Sequence, residues 1–457
     1  MKSVYTPNDF KHLESDSKMI QAAVDEAAKY GATVVIPRVN ERTDACLWEI
    51  DEPIVLHTGS SVVLENCYMR LKDDCYSNFF INDALKGKWW KKETRNFDIK
   101  IRGEGNALLD GGKHNGLIEN NFNIYDENGN FVKSVTIHGF TNCFINIGIH
   151  MANVERVEVS GIRFVRPRYW CMNFEYCAWG HIHDIVFDAD GANQNQDGLD
   201  IRQGCNNILV ENLSGRTGDD MLALTNFGHR EKRTNGEPTD MDVDIHDIVV
   251  RNIRATMSHR CDIMRILNRG ECKIYNVQVS GVQDTTPPEI WRPLAAIRIG
   301  DVSDYQARLN RIGETRNITV RDVVTRARFG CYIANTLCDS YFENIQMFGD
   351  GGTGIYFNGC ELENVTVNGL CYGTLTSPDR SDLDYVSKFH RVTLDSISAV
   401  YFKDCISAKN LRFCNLRTAK EMDYAFGGNS EIEVIAENTV FQNESTKLSS
   451  KAKIIKA

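Results

Sequence analysis

Two short acidic motifs lie one repeat length apart in this chain. The first spans residues 195–200 and reads Asn-Gln-Asp-Gly-Leu-Asp, and the second spans residues 218–220 and reads Gly-Asp-Asp. Stacked side by side, the two motifs would form a cluster of carboxylates. Like charges held close together cannot all be ionised at once, so one carboxyl acquires a raised pKa while its neighbours stay anionic. An acid and a base in one site are what the cleavage of a glycosidic bond requires.

The spacing of the aspartates predicts that they meet in one cleft. Equivalent positions of adjacent coils in a stack of β-strands lie about 5 Å apart. Asp197 and Asp219 are 22 positions apart, which is one coil length, and Asp220 is 23 positions from Asp197. We therefore expect Asp197, Asp219 and Asp220 to lie close to one another and to Asp200. Asx-turns or a calcium site are the alternatives for these residues.

The elements that position these motifs are short repeated strands. From residue 54 onward, β-branched runs that end in Asn or Asp recur with little helical periodicity. The step from Asn252 to Asn276 is 24 residues, and the step from Asp322 to Asn344 is 22. Strand and turn units of this period, without a helix in each, are typical of a parallel β-helix. The asparagines at one turn are expected to stack into a ladder of paired amides.

One helix is predicted, near the N-terminus. Residues 16–31 have apolar side chains at helical spacing, with Asp16 or Ser17 as the N-cap and Gly31 at the end. A strand follows at residues 33–37. Because the terminal repeats of a solenoid must be capped, we expect this helix to cover the open end of the coils.

The remaining segments complete a single predicted domain over residues 1–457. Its coils span residues 54–415, with loop insertions near 227–244 and 283–315, and residues 430–457 form a C-terminal strand or tail. Loops that grow from one side of a solenoid usually wall its binding groove.

Composition excludes several classes of partner. The net charge of -10 and the pI near 5.6 argue against nucleic acid or an anionic membrane surface as the main partner. No run is long enough to span a bilayer, and the first residues lack the apolar core of a signal peptide. Fifteen cysteines form an odd set without a Cys-x-x-Cys pair, which suits free thiols and a cytoplasmic location. No cofactor and no metal are expected, and a homo-oligomer remains open.

The motifs carry a family resemblance. The Asn-x-Asp-Gly-x-Asp run at 195–200, followed by Thr-Gly-Asp-Asp at 217–220, resembles glycoside hydrolase family 28, the polygalacturonase family. The segments 102–105 (Arg-Gly-Glu-Gly) and 109–112 (Leu-Asp-Gly-Gly) resemble an early coil of the same family. The resemblance covers roughly residues 15–370. It implies an all-β chain of the pectate-lyase-like superfamily, folded as a right-handed parallel β-helix, that hydrolyses with inversion.

The resemblance also assigns catalytic roles. Asp219 would be the general acid, and Asp197 and Asp220 would hold and deprotonate the attacking water. Inversion agrees with a pair of carboxyls about 6.5 to 9.5 Å apart, which admits water between them. Asn195 and Asp200, in the same motif, are expected to bind the substrate.

Two further family marks are only partly present. The family's Gly-His-Gly turn corresponds to Ser-His-Arg with His259 at its centre, and its Arg-Ile-Lys strand end corresponds to Arg298-Ile299-Gly300. In the family, the Arg and Lys bind the sugar carboxylate, and here Gly300 stands in place of the Lys. His259, Arg265 and Arg298 are predicted to bind the substrate. Other arginines that could replace the lysine are Arg202, Arg216 and Arg260; otherwise the substrate is neutral or differently charged.

The sequence therefore predicts an inverting glycoside hydrolase of the polygalacturonase type, with an oligosaccharide as its partner. The long predicted insertions favour exo action on pectic or related oligosaccharides, because lengthened walls block one end of a groove. Two alternatives remain. One is a β-helix lyase, epimerase or fructotransferase, and the other is a noncatalytic carbohydrate-binding β-helix.

Overall fold

The computed structural model describes most of the chain, in the following ranges: residues 2–112, 123–125, 131–134, 146–191, 195–229, 236–258, 261–290, 292–301, 307–348, 352–372, 397–418, 422–439, 447–448, 451 and 453–456. By its contacts the chain divides into two compact units. Unit 1 comprises Met1–Asp220 and His229–Val243, and unit 2 comprises Met221–Gly228 and Asp244–Ala457. The prediction of a single domain stays a prediction.

Unit 1 is mostly β-structure with one α-helix. Its α-helix is α1 (Asp16–Ala28), and its 3-10 helices are Pro7–Phe10, Asp83–Lys86 and Lys92–Thr94. Its strands are β1 (Val4–Tyr5), β2 (Thr33–Ile36), β3 (Trp48–Ile50), β4 (Ile54–Leu56), β5 (Ser61–Glu65), β6 (Tyr68–Leu71), β7 (Phe80–Asn82), β8 (Asn96–Asp110), β9 (Asn123–Tyr125), β10 (Phe131–Ser134), β11 (Ile149–Ala152), β12 (Val154–Val165), β13 (Met172–Glu175), β14 (Ala178–Asp188), β15 (Leu199–Arg202) and β16 (Asn206–Thr217).

The strands of unit 1 form two parallel sheets, which makes the fold a parallel β-helix, as predicted. In the first, called the long-strand sheet, the main pairing order is β1-β2-β5-β8-β12-β14-β16. In the second, called the short-strand sheet, the order is β4-β7-β11-β13-β15. Apolar side chains such as those of Phe174 and Ile201 alternate along the short strands with polar ones, because successive residues of a strand point to opposite faces.

Unit 2 repeats the same two-sheet plan. Its strands are β17 (Leu222–Asn226), β18 (Ile245–Met257), β19 (Met264–Asn268), β20 (Ile274–Asp284), β21 (Ala295–Gly300), β22 (Thr315–Thr325), β23 (Phe329–Ala334), β24 (Leu337–Met347), β25 (Thr353–Asn358), β26 (Glu361–Tyr372), β27 (Ser398–Lys403), β28 (Ser407–Lys409), β29 (Arg412–Cys414), β30 (Tyr424–Gly428), β31 (Glu433–Glu437), β32 (Lys447–Leu448) and β33 (Lys453–Lys456). Strands β18, β20, β22, β24 and β26 pair in parallel and form the long-strand sheet of unit 2. Strands β17, β19, β21, β23, β25, β27 and β30 pair in parallel and form its short-strand sheet.

The predicted amide ladder is present at a turn of the coils. Asn276 Nδ2 donates to Asp247 Oδ1 (2.9 Å) and Asn317 Nδ2 donates to Asn276 Oδ1 (3.1 Å). Asn364 Nδ2 donates in the same way to Asp339 Oδ1 (2.9 Å). All five residues have φ between 48° and 55°, the left-handed region that Asn and Asp adopt more readily than other non-glycine residues. The recurring Asn and Asp therefore both turn the chain and bond neighbouring coils.

The N-terminal helix is confirmed with shifted ends. Its N-cap is Ser15, whose side chain accepts from the Lys18 amide (3.3 Å), and not Asp16 or Ser17 as predicted. Asp16 lies inside the first turn because its buried carboxylate bonds Asn40 Nδ2 (2.8 Å) and the Glu49 amide (2.8 Å). The helix packs against β1 to β4, the first strands of unit 1.

Two other boundaries differ from the sequence prediction. The segment 283–315 is not one loop, since its Ala-Ala-Ile-Arg-Ile-Gly run forms β21. Parallel pairing continues past residue 415, with β33 paired to β31. Of the segment 227–244, the described residues 236–243 pack on unit 1, where Thr239 Oγ1 donates to Trp90 O (2.8 Å).

Two predictions from composition concern membrane-spanning segments and the state of the cysteines. No helix among the described residues has the length and apolar character needed to cross a bilayer. The fourteen cysteines within the described ranges are free thiols, and eight of them are buried.

Candidate active site

The aspartates of the two motifs lie at neighbouring ends of strands in unit 1. Asp197 lies two residues before β15, and Asp219 and Asp220 follow β16 after Gly218. Backbone hydrogen bonds hold the two turns together. The Gly218 amide donates to Gln196 O (3.0 Å), and the Gly198 amide donates to Asp220 O (2.9 Å). The one-coil spacing of the motifs therefore places them side by side, as predicted.

The three carboxylates of these turns converge. One carboxylate oxygen from each of Asp197, Asp219 and Asp220 lies within 4.8 Å of the other two. Asp197 and Asp220 are 6% and 3% exposed, and Asp219 is half-buried. The Asp220 amide donates to Asp219 Oδ1 (2.9 Å), which fixes the rotamer of the more exposed carboxylate. Because the Asp219 carboxylate of this cluster is partly open to solvent, the three acids can exchange protons with a bound molecule.

The buried side chain of Gln196 anchors this arrangement. Its Nε2 donates to Pro167 O (2.6 Å) and Asp190 Oδ1 (2.9 Å), and its Oε1 accepts from the Gly191 amide (2.9 Å). The main-chain carbonyl oxygen of Gln196 accepts from the backbone amides of both Gly218 and Asp219, the latter at 3.4 Å. Gln196 thus connects the turn of Asp197 to that of Asp219.

A buried thiol lies beneath the same turn. The Cys171 amide donates to Asp197 O (2.9 Å), and the Cys171 side chain is 1% exposed. Burial raises the pKa of the Cys171 thiol well above its usual value, and the charges of Asp197 and Asp200 raise it further. A thiol with a raised pKa is a poor nucleophile, so Cys171 is a packing residue of the site.

The other predicted residues of the first motif lie close by in sequence but outside the three-carboxylate cluster. Asp200 is on β15, is 2% exposed and is paired in register with Asn173 of β13. Asn195 has φ 54°, a left-handed conformation that turns the chain into the motif. His259 lies outside the described residues.

The two predicted arginines belong to unit 2 and are held by protein carboxylates. Arg298 is fully buried, and its guanidinium donates to Asp262 Oδ2 (3.3 Å) and Asp301 Oδ1 (2.8 Å). Arg265 Nη2 bonds the other oxygen of Asp301. A buried charge must be paired in this way to be tolerated. A direct contact between Arg298 and a substrate would require this network to open.

No lysine fits at the position where the family motif has one. Gly300 has φ 82°, and a Cβ atom built there would lie 2.4 Å from Asn335 Cβ and 2.8 Å from the carbonyl carbon of Ala334. The glycine is therefore required by the backbone and its neighbours. The backbone conformation at residue 300 and the close approach of Ala334 and Asn335 therefore exclude a lysine side chain there.

The sequence prediction missed several buried polar residues of unit 1. His150, Asn173 and Glu175 are fully buried on the short-strand sheet. A signal for them exists, because the strands Ile-His-Met-Ala, Met-Asn-Phe-Glu and Leu-Asp-Ile-Arg repeat one alternation of apolar and polar residues. The alternation alone does not reveal how neighbouring strands align. The grouping of His150, Asn173 and Glu175 therefore follows only from the pairing register of the strands in the structure.

The family resemblance is confirmed over part of the chain. Residues 142–232 match the model of Glycosyl hydrolases family 28, and the stretch includes Asp197, Asp219 and Asp220. No curated protein sequence matches the chain. The family match and the fold support a glycoside hydrolase or another carbohydrate-active β-helix protein.

Several solved structures are similar to this chain at low identity. A family 28 exopolygalacturonase of Yersinia enterocolitica is 11% identical with a TM-score of 0.45, over 99% of this chain and 78% of that one. A polygalacturonase from Erwinia carotovora ssp. carotovora is 12% identical with a TM-score of 0.43, over 97% and 92%. A tailspike protein of E. coli bacteriophage HK620, solved with a pentasaccharide, is 12% identical with a TM-score of 0.49, over 99% and 78%.

Proposed function

We propose, from the family 28 match over residues 142–232, that this protein is an inverting glycoside hydrolase that removes units from the ends of pectic or related oligosaccharides. The observation that supports the proposal best is the convergence of three carboxylate oxygens, from Asp197, Asp219 and Asp220, within 4.8 Å of one another. A cytoplasmic location, indicated by the odd cysteine count, is part of the proposal.

The proposed chemistry uses the three carboxyls in two roles. Asp219 is the most exposed of the three and donates its proton to the oxygen of the leaving sugar as the glycosidic bond breaks. Asp197 and Asp220 hold a water molecule, and one of them accepts its proton as the water oxygen bonds the anomeric carbon. Three like charges at this spacing favour retention of one proton by the group, and that proton belongs to the coupled group as a whole.

The proposed inversion rests on the family resemblance and not on spacing. The oxygens lie within 4.8 Å of one another, whereas the carboxyl groups of inverting and retaining glycosidases lie about 6.5 to 9.5 Å and about 5 to 5.5 Å apart. The oxygen-to-oxygen distance is shorter than both ranges. The stereochemical outcome is therefore a separate experiment, described in the Discussion.

The decisive experiment compares wild type with Asp219→Asn on aryl glycosides and pectic oligosaccharides. We expect kcat to fall about 10²- to 10⁴-fold, because the amide cannot supply the proton. Asp98→Asn is the matched control, since Asp98 is an exposed acid of unit 1 that bonds Arg156 at 2.7 Å and should leave kcat unchanged. Equal activity of wild type and Asp219→Asn would exclude the proposed site.

The same reactions separate the alternative functions. In water enriched in ¹⁸O, hydrolysis labels the new reducing end, whereas a lyase or an intramolecular transferase does not incorporate the label there. Sugar binding without turnover in wild type would indicate a noncatalytic β-helix. Random internal cleavage of a long chain would contradict exo action.

A further inference from the structure

A group of polar side chains is buried on the outer face of the short-strand sheet of unit 1. His150, Asn173 and Asp200 occupy one rung, since His150 pairs with Asn173 and Asn173 with Asp200 in register. Glu175 and Arg202 lie two residues further along β13 and β15. We call these five residues the polar recess. Each of them is at most 2% exposed.

Most of the recess is bonded within itself. His150 Nε2 lies 3.3 Å from Glu175 Oε2, and Arg202 Nε lies 3.8 Å from Glu175 Oε1. Gln203 Nε2 donates to Glu175 Oε1 (2.9 Å). These contacts give Glu175 and Arg202 protein partners, so the network is set before any ligand arrives.

Asn173 is different. Neither its Nδ2 nor its Oδ1 has a hydrogen-bond partner within the described part of the chain, although the side chain is fully buried. The amide oxygen of Gln203, which is 1% exposed, also has no partner among the described residues. Buried polar groups are almost always bonded, and an exception indicates a bound water or ligand. The amide of Asn173 lies in register beside Asp200.

Aromatic side chains border the recess. The Arg202 guanidinium lies 4.9 Å from the ring centroid of Trp170, on which the ring of Tyr169 stacks at 4.7 Å. Tyr176, which follows Glu175 in the sequence, packs against Trp89 with ring centroids 5.8 Å apart. A few fixed polar groups within aromatic walls are the usual composition of a small-molecule site.

The charges of the recess decide what it can bind. Asp200 and Glu175 are carboxylates, and the one guanidinium in the group, Arg202, lies against Glu175 and Trp170. A carboxylated sugar placed beside Asn173 would face Asp200 one strand spacing away, about 5 Å, and would be repelled. A hydroxyl can instead donate to these carboxylates and accept from the amide of Asn173.

We propose that the polar recess binds one neutral sugar unit of the substrate, next to the unit that is cleaved, and that Asn173 recognises its hydroxyls. The inference rests on the proposed function, since Asp200 of the recess is only three positions after Asp197 in the sequence. It narrows the substrate class to oligosaccharides that carry a neutral sugar at this position.

The test begins with a stability contrast between two buried asparagines of the same sheet. Asn82 is fully buried and fully bonded, with Nδ2 donating to Asn96 Oδ1 and Ala152 O, both at 2.7 Å. We expect Asn82→Ala to lower the unfolding temperature, while Asn173→Leu leaves it unchanged or raises it. If Asn173→Leu destabilises the protein as much as Asn82→Ala, the amide has a structural role and the proposal is wrong.

Ligand binding is then measured on Asp219→Asn by calorimetry, so that turnover does not interfere. The probes are matched trisaccharides that differ only at C6, neutral hexose against the corresponding uronate, in the galacto, gluco and manno series. We expect a neutral member to bind at least tenfold tighter than its uronate partner, and addition of Asn173→Ala to weaken it about 10- to 100-fold. Tighter uronate binding, no effect of Asn173→Ala, or no binding of any neutral probe would overturn the proposal.

The outcomes for the two proposals are distinguishable. A wild type that hydrolyses none of the probes contradicts the proposed hydrolase, while the calorimetry still decides whether the recess binds neutral sugar. If wild type hydrolyses uronates best and Asp219→Asn abolishes this activity, the proposed hydrolase is supported. The proposal that the polar recess binds a neutral sugar is then wrong.

Discussion

Replacement of Gln196 by alanine tests whether its side chain fixes the turn of Asp197, whose main chain bonds the turn of Asp219. The variant loses the hydrogen bonds from Nε2 to Pro167 O and Asp190 Oδ1 and the bond from the Gly191 amide to Oε1. At about 0.5 to 1.5 kcal/mol each, these three bonds contribute about 3 kcal/mol to the free energy of unfolding. The catalytic effect is expected to be of similar size, because displacement of a reacting group by about 1 Å costs about 10²-fold in rate, or about 2.7 kcal/mol in activation free energy.

The chain offers a closely matched control for this variant. Gln21 of α1 makes the same set of bonds, with Nε2 donating to Asp25 Oδ1 (2.7 Å) and Val55 O (3.1 Å) and Oε1 accepting from the Val55 amide (2.7 Å). Gln21→Ala therefore removes an equivalent set of bonds from the capping helix. It should lower stability to a similar or smaller degree and leave kcat unchanged.

The assay measures kcat and KM for both variants on one aryl glycoside, with urea unfolding of the same preparations. We expect Gln196→Ala to lower kcat about 10²-fold with little change in KM, and to alter the pH–rate profile, because the mutual spacing of the carboxylates sets their coupled titration. An unchanged profile with kcat within twofold of wild type would refute the positioning role. Equal losses of kcat in both variants would show that stability alone is responsible.

Two further predictions concern the product and the N-terminal coils. Proton NMR of the first-formed sugar should show the inverted anomer; retention would contradict inversion and would instead fit the short carboxylate spacing. His57 bonds Asp25 (2.9 Å) and Asp83 (3.0 Å), and these bonds raise the His57 pKa to about 9. Because this pKa lies above the unfolded value of 6.5, the stabilisation is complete below pH 6.5 and is lost as the pH rises through 9. His57→Gln should therefore cost about 1 to 2 kcal/mol at pH 6, after allowance for solvent screening, and nothing at pH 10; equal urea midpoints at pH 6 would contradict this.

The location of the acidic cluster could be predicted because a β-helix is periodic. Residues one coil apart, such as Asp197 and Asp219, must stack, whatever side chains surround them. The partners of Arg298 could not be predicted in the same way. Asp262 and Asp301 reach Arg298 from loops that flank the strands, and loop conformation does not follow from the repeat. The N-cap at Ser15 was missed for a similar reason, since the tertiary contacts of Asp16 decide where the helix begins.

Buried polar side chains on the outer face of the short strands differ between the two units in whether their hydrogen bonds are satisfied. In unit 2, Arg298 lies between Arg265 and Tyr332 in register, its guanidinium is bonded to two carboxylates, and it lies 5.4 Å from the Tyr332 ring centroid. Such a satisfied network stabilises the coils and needs no ligand.

In unit 1 the corresponding face holds Asn173, whose amide is unpaired within the described chain. A β-helix needs only apolar inner faces, so nothing in the fold requires an amide at this outward position. A buried polar group that breaks the local rules without compensation indicates a binding site. If Asn173→Leu proves as stable and as active as wild type, the amide serves neither folding nor substrate binding, and this reasoning fails for unit 1.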